Sequence, residues 1–429
     1  MSNVKLFKTN LTYKLSTQCE QNDFFLSHKR NVIEKNQTYP AEVTAKRQGT
    51  SMNINSTLIS GYQALQDLGY LLRGRQHVLL VTDKNIVGLA GVQALIAQLK
   101  AGVPQLSLID NVPAEPSQHD VAAVLQQLPA TQPDLVVGVG GGSVLDVAKL
   151  LSLLCAGEEG ITLDSLLEGR KPTRRTTSLL IPTTAGTGSE ATPNAILAIP
   201  EKETKVGIIT PVMLPDYVAL VPELTTSMPA HIAASTGIDA LCHLIECFTA
   251  TIANPVADNY ALIGMKKLFA NIETAVNEPD NLEARLNMLW ASYYGGASIA
   301  HSGTHLVHAM SYPLGGKYHI PHGVANAILL APCMRFVQHA AAEKFAQAYD
   351  LLPDADLSLS TEQKAQALVD YFTVLVKRLN LPSSLQQLGI SPDHLPYLVE
   401  SALQVQRLMK NVPTAVTAED VHAIYSTLF

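Results

Sequence analysis

Asp239 and His243 lie four residues apart in the apolar stretch STGIDALCHLIECF. At helical pitch the two side chains project from one face and can grip a single ion. His308 and His322 follow in VHAMSYPLGGKYHIPHG. One carboxylate and three imidazoles make an O/N donor set suited to Fe(II) or Zn(II), with a position left for an exchangeable ligand. Such a set points to a metal that polarises a substrate oxygen rather than to a structural clip. Spacing alone leaves alternatives open. A lone Asp-x-x-x-His on a helix is more often a cap or a surface pair. Five of the 13 histidines fall between His301 and His322. Read as one helix, that stretch puts His301, His305 and His308 on a common face, and the pattern does not choose the ligand among them. A polar face of satisfied histidines is the bland competitor.

Two glycine-rich loops offer a second kind of chemistry. Gly140-Gly141-Gly142-Ser143 stands between a strand (LVVGV) and a helix (VLDVAKLLSLL). Backbone N–H groups at such a helix start can cradle a phosphate. The competing explanation is a tight turn that needs positive φ, although three glycines exceed what a turn requires. The spacing is not the usual G-x-G-x-x-G of dinucleotide folds. The run from Pro182 to Glu190, PTTAGTGSE, also follows a strand and adds hydroxyls, making a second wall for one cofactor cleft. Asp83 ends the strand HVLLVTD. A carboxylate there can accept from ribose hydroxyls and repel a 2′-phosphate, although taken alone such a residue more often caps the next turn.

These loops require strands that deliver them. From Ser56 onward apolar runs alternate with helical patterns: HVLLVTD, VGLAGVQALIAQLKAG, QLSLID, HDVAAVLQQL, DLVVGV, SLLIP, KVGIIT and YVALVP. That alternation predicts an α/β, Rossmann-like unit with a mostly parallel sheet. After PELTTSMPAHIAAS long helical patterns take over, including LEARLNMLWASYYGGASIAHSGTHLVHAM as one run. The expected organisation is a polar, flexible extension over 1–51, an α/β cofactor-binding domain over 52–227 and an all-helical metal-binding domain over 228–429. Met52 is an alternative candidate for the first residue.

The chain has 429 residues, 47% hydrophobic and 16% charged, with a formal net charge of −7. That is a globular profile with room for large cores. It lacks the basic surplus of a nucleic-acid binder and any apolar run of bilayer length, so neither nucleic acid nor membrane is expected as a partner. The five cysteines include no C-x-x-C pair. A disulfide framework and a cysteine zinc site are therefore unsupported, and a reducing cytoplasm is the expected compartment.

The chain resembles the iron-containing (group III) alcohol dehydrogenases. The motifs that carry the likeness are VTD, GVGGGSVLDVAK, IPTTAGTGSEAT, PELTTSMPAHIAASTGIDALCHLIE and HAMSYPLGGKYHIPHGVANAILLAP. It runs from about residue 56 to Phe429 and includes VTAEDVHAI. The resemblance implies a dehydroquinate-synthase-like architecture. It puts the family's metal ligands on Asp239, His243, His308 and His322, so His308 is favoured over its neighbours. Asp83 falls on the adenosine-ribose acceptor, which implies NAD. Gly141, Gly142, Ser143 and Asp146 fall on the pyrophosphate loop and helix. Thr183, Thr184 and Thr187 fall on the second loop, and Thr192, Ile196 and Lys205 on later cofactor contacts.

Three positions depart from the family pattern. Glu115-Pro116-Ser117 stands where an Asn precedes Pro-Thr. Tyr312 replaces a common histidine four residues after His308, and His305 stands where a small residue is usual. Tyr312 and His305 are therefore the candidates for proton transfer, Tyr312 as a phenol in place of an imidazole. The expected activity is hydride transfer between NAD(H) and a small primary alcohol or diol, with Fe(II) or Zn(II) polarising the oxygen. A hydroxyacid–oxoacid transhydrogenase or polyol dehydrogenase of the same fold is the alternative, ahead of a non-catalytic module that binds NAD or metal. Assembly into a homodimer or larger homo-oligomer is expected.

Overall fold

A computed structural model describes residues 56–62, 64–202 and 204–429 of the chain. The polar segment 1–51, with Cys19, and Met52 lie outside the described residues. The described residues belong to one compact unit.

The strands are β1 (Thr57–Ser60), β2 (His77–Val81), β3 (Gln105–Ile109), β4 (Leu135–Gly140), β5 (Thr177–Pro182), β6 (Asn194–Ile199), β7 (Thr204–Ile209) and β8 (Tyr217–Leu220). Helices α1 (Ala64–Asp67), α2 (Ala90–Gly102), α3 (Gln118–Leu125), α4 (Gly142–Leu154) and α5 (Leu163–Leu167) are interleaved with them. Six strands make one sheet in the order β1-β8-β5-β4-β2-β3, every neighbouring pair parallel. Strands β2 and β4 are buried along their whole length. Val78 and Leu80 of β2 face a core with Leu95 and Leu99 of α2. Leu79 and Val81 face the opposite core, with Val121 of α3 and Val147 of α4. Burial on both faces is why these segments read as continuous apolar runs rather than as alternating ones.

The chain steps from β2 to β3 on one side and then returns to place β4 on the other side of β2. The sheet order reverses between β2 and β4, and such a reversal opens a crevice at the carboxyl ends of the strands. Asp83 follows β2 there, and the Gly140–Ser143 loop follows β4.

KVGIIT does not enter this sheet. As β7 it pairs antiparallel with β6, a strand the sequence pattern did not show, in a separate two-stranded ribbon.

After β8 the chain is helical: α6 (Ala230–Thr249), α7 (Pro255–Asn277), α8 (Leu282–His301), α9 (Leu306–Tyr318), α10 (His322–Val337), α11 (Ala342–Tyr349), α12 (Thr361–Arg378), α13 (Leu395–Gln404), α14 (Gln406–Met409) and α15 (Ala418–Ser426). From Ala233 to Thr249 only Thr236 of α6 is not fully buried, as befits a central helix packed on α7, α8 and α10. The single helix expected across His301–His308 is two. α8 ends at His301, Ser302 takes φ −134 and ψ −135, and α9 starts after His305. Gly303 in this break leaves room for Asn411, whose Nδ2 would lie 2.8 Å from a Cβ there. His301, His305 and His308 therefore do not share a face.

Candidate metal centre and cofactor cleft

α6 supplies Asp239 and His243 one turn apart, α9 supplies His308, and His322 is the first residue of α10. Their ligand atoms all lie within 4.8 Å of one another. Three imidazole Nε2 atoms stand around Asp239 Oδ1: His322 at 3.6 Å, His243 and His308 at 3.7 Å. A tetrahedral ion with bonds of about 2.1 Å separates its ligands by about 3.4 Å, so the cluster is within a few tenths of an ångström of closing on one metal.

The rest of each side chain is arranged to keep those atoms facing inward. His308 Nδ1 bonds Glu246 Oε2, and His243 Nδ1 bonds the Gly186 carbonyl at 3.2 Å. With Nδ1 engaged, Nε2 is the lone pair left for an ion. Glu246 Oε1 also accepts from Val307 N at 2.6 Å, which ties α6 to the start of α9. Asn326, one turn after His322, donates Nδ2 to Asp239 Oδ1 at 2.7 Å. Burial would raise the Asp239 carboxyl, yet His243, His322 and His308 together hold it well below the carboxylate range. Burial pushes His322 down to about 3 and lowers His243 too, leaving both with free lone pairs. Burial also opposes charge on His308, but Glu246 and Asp239 outweigh it and raise the group to about 9. The donor chemistry, the spacing and the fixed tautomers all fit a divalent cation.

A cavity of about 200 Å³ runs from these four residues to the glycine loop. Gly142, Ser143, Asp146 and Thr187 line its β4 end, and Thr192, Ile196 and Lys205 line the ribbon side. Tyr312 stands beside the metal set, its ring centre 6.4 Å from that of His322. None of Gly140, Gly141 or Gly142 has positive φ. The glycines serve close approach instead: a Cβ on Gly142 would lie 2.7 Å from Thr187 Cγ2 and 2.8 Å from its Oγ1, where the second loop crosses the first. Gly141 is the N-cap of α4, so the first N–H groups of that helix open toward the cleft.

Asp146 and Lys149 hold the second loop in place. Asp146 accepts from Ser189 Oγ at 2.5 Å and Ile196 N at 2.9 Å, and pairs with Lys149 Nζ at 2.9 Å. Lys149, wholly buried, donates to the Ser189 carbonyl at 2.8 Å, to Thr192 Oγ1 at 3.2 Å and to the Asn194 carbonyl. Glu115, at the family departure, lines the cavity too; its N–H bonds Ser143 Oγ at 2.9 Å and its carboxylate pairs with Lys205 at 2.8 Å.

Five expected residues do not line the cavity. Asp83 stands at the end of β2 with Oδ1 engaged by Asn85 N at 2.8 Å, the turn-capping arrangement. Gly141 caps α4, Thr183 N bonds the Gly140 carbonyl at 2.9 Å, and Thr184 packs near Gly141. His305 is fully buried behind the metal set: Nε2 meets Thr249 Oγ1 at 2.9 Å and Nδ1 accepts from Leu306 N at 2.7 Å. As N-cap of α9 it positions the helix that carries His308 and has no path to a substrate.

Glu246, Lys149, Asn326 and Arg407 were not singled out from the sequence. Glu246 had a readable signal, since it follows Asp239 and His243 at i+7 and i+3 on an otherwise apolar helix. Asp146 and Lys149 form a similar charged pair inside LDVAKLL. Arg407 gave none, because it lies 99 residues beyond His308 in sequence.

Two family models match the chain: "Iron-containing alcohol dehydrogenase" over residues 55–222 and "Fe-containing alcohol dehydrogenase family, C-terminal" over 233–429. The chain is 32% identical over 360 residues to a long-chain-alcohol dehydrogenase of Geobacillus thermodenitrificans, covering 83% of this chain and 90% of the relative. Among solved structures it superposes on a 1,3-propanediol oxidoreductase with a TM-score of 0.81 and 31% identity, covering 87% of this chain and 98% of that one. It likewise superposes on a sulfoacetaldehyde reductase of Bifidobacterium kashiwanohense in complex with NAD+, with a TM-score of 0.78 and 27% identity, over 87% and 97% of the two chains.

Proposed function

The chain belongs to the iron-containing alcohol dehydrogenase family, and on that premise we propose how its residues carry out the reaction. The enzyme is an oxidoreductase that moves hydride between an alcohol carbon and a nicotinamide cofactor, with loss of the hydroxyl proton in the oxidative direction. The observation that carries the assignment of the metal is the set of three Nε2 atoms 3.6–3.7 Å from Asp239 Oδ1, at the inner end of the cavity that reaches Gly142. When bound there, a divalent metal supplies Lewis-acid polarisation of the substrate oxygen and the nicotinamide accepts or returns the hydride.

Asp239, His243, His308 and His322 hold the metal. Iron follows from the family; the same O/N set takes zinc, so the metal available decides the occupant. Glu246, the Gly186 carbonyl and Asn326 orient the donors. Gly142, Ser143 and the start of α4 receive the cofactor pyrophosphate, and Thr187, Thr192 and Ile196 form the facing wall. The placement of Asp83 at the β2 end of the crevice supports NAD over NADP, because a carboxylate there repels a 2′-phosphate. The solved relative holding NAD+ supports the same choice.

Tyr312 is a proton-bearing group that lines the cavity beside the metal set. Burial raises its hydroxyl, Arg407 works against that, and the net direction is upward, so it stays a protonated donor at neutral pH. A reduced substrate oxygen draws its proton through the cavity that Tyr312 lines, whereas His305 does not line it. No helix among the described residues is long and apolar enough to cross a membrane. The buried free cysteines support a reducing compartment such as the cytoplasm, and a homo-oligomer remains part of the proposal.

The test is an aldehyde panel with anaerobically iron-loaded protein. Oxidation of NADH in step with aldehyde loss, faster than with NADPH, is expected. Exchange between a hydroxyacid and an oxoacid without net NADH consumption would move the assignment to the transhydrogenase alternative.

A further inference from the structure

Resting on the dehydrogenase reading, the geometry points to a substrate class: we propose that the preferred alcohol or aldehyde carries a carboxylate or sulfonate at its far end, and that Arg407 selects it. Arg407 belongs to α14 and lies on the wall shared by two spaces. One is the inner cavity with the metal set; the other is an outer chamber of about 620 Å³ lined also by Tyr397, Glu400 and Gln404. Tyr312 bridges the interval. Its ring packs toward His322, and its hydroxyl accepts from Arg407 Nη2 at 3.4 Å. The guanidinium therefore lies beyond the Tyr312 hydroxyl, across the ring that packs toward His322.

The charges around the inner cavity are otherwise matched. Glu115 is paired with Lys205 at 2.8 Å and Asp146 with Lys149 at 2.9 Å, while Asp239 faces three imidazoles. Among the described residues no carboxylate lies within 4.0 Å of Arg407, Glu400 in the outer chamber included. Tyr312 occupies one of five N–H donors, which leaves the planar fork free for two parallel bonds to one anion. A bifunctional molecule with oxygen at one end and an anionic group a short chain away meets both fixtures at once. Arg407 is exposed, so a plain alkyl alcohol leaves its guanidinium to water and gains nothing from it.

The experiment compares butanal with 4-oxobutanoate, its carboxylate-bearing counterpart, using NADH and iron-loaded wild type, Arg407→Ala and Arg407→Lys. The readout is the ratio of kcat/KM for the anionic over the neutral aldehyde. It is expected to favour 4-oxobutanoate in the wild type. It should fall roughly 10- to 100-fold in Arg407→Ala, the worth of a charge-assisted bond, mostly through KM for 4-oxobutanoate. Arg407→Lys should restore part of it, since an ammonium keeps the charge but not the fork. An unchanged ratio, or a rise confined to KM for NADH, overturns the proposal, the latter by assigning Arg407 to the cofactor. If butanal is reduced and the ratio does not move, only the substrate class fails. If neither aldehyde oxidises NADH, the dehydrogenase reading fails with it.

Discussion

Replacing Glu246 with glutamine should weaken metal binding without touching a ligand. The carboxylate serves two donors at once, His308 Nδ1 through Oε2 and Val307 N through Oε1 at 2.6 Å. A glutamine has one acceptor oxygen. If it keeps Val307, its amide NH2 faces His308 Nδ1, which must then become the acceptor and shift its proton to Nε2. That proton occupies the lone pair meant for the metal. Losing the partner of a metal-binding histidine costs about 10- to 100-fold in affinity, or about 1.4–2.7 kcal/mol. Chelator competition measures this on folded protein, with circular dichroism to confirm the fold. The same change in a His308→Ala background should cost little more, since Glu246 would act through His308. Wild-type affinity in Glu246→Gln, or an equal loss with and without His308, would refute the reasoning.

Gly142→Ala places a Cβ against Thr187 and should lower stability by about 1–3 kcal/mol, while Gly141→Ala, whose nearest neighbour is 3.5 Å away, should fold normally; thermal melting of the cofactor-free proteins compares them. Lys149→Met should destabilise by about 3–5 kcal/mol in denaturant titration, because it strands buried Asp146 and frees the Ser189 and Asn194 carbonyls. Glu190 is 1% exposed with both carboxylate oxygens unpartnered, and burial lifts it to about 7. A folded-state value above the unfolded one means stability is full at low pH and is lost as pH rises from about 4.5 through 7. Glu190→Gln should therefore gain about 3 kcal/mol over wild type at pH 8 and little at pH 4, and a pH-independent difference would contradict this. Burial pushes Cys155 up to about 11 and Cys242, Cys247 and Cys333 well above the usual thiol range, so native alkylation at pH 8 should be slow at all four by peptide mass spectrometry.

The sheet was legible because its central strands β2 and β4 are buried on both faces and read as continuous apolar runs. KVGIIT has the same composition, and only its pairing with β6, set by chain path, takes it out of the sheet. Asp239 and His243 were legible because helical pitch joins them. His308 needed the family register: the helix assumed through His301–His308 breaks at Ser302 and Gly303, where Asn411, more than 100 residues away, packs in close. Separation along the chain also hid Arg407, which lies 95 residues from Tyr312 and reaches it only in three dimensions. Asp83 was assigned to the cofactor, and the structure shows it first as a turn cap at the crevice.

The central claim is that Asp239, His243, His308 and His322 bind one catalytic metal together. Metal content per chain, measured beside NADH-linked aldehyde turnover for the wild type and for an alanine variant at each of the four positions, tests it directly. One ion per wild-type chain, with ion and turnover lost together in the folded variants, is the predicted result. Full turnover in a variant stripped of metal would contradict it.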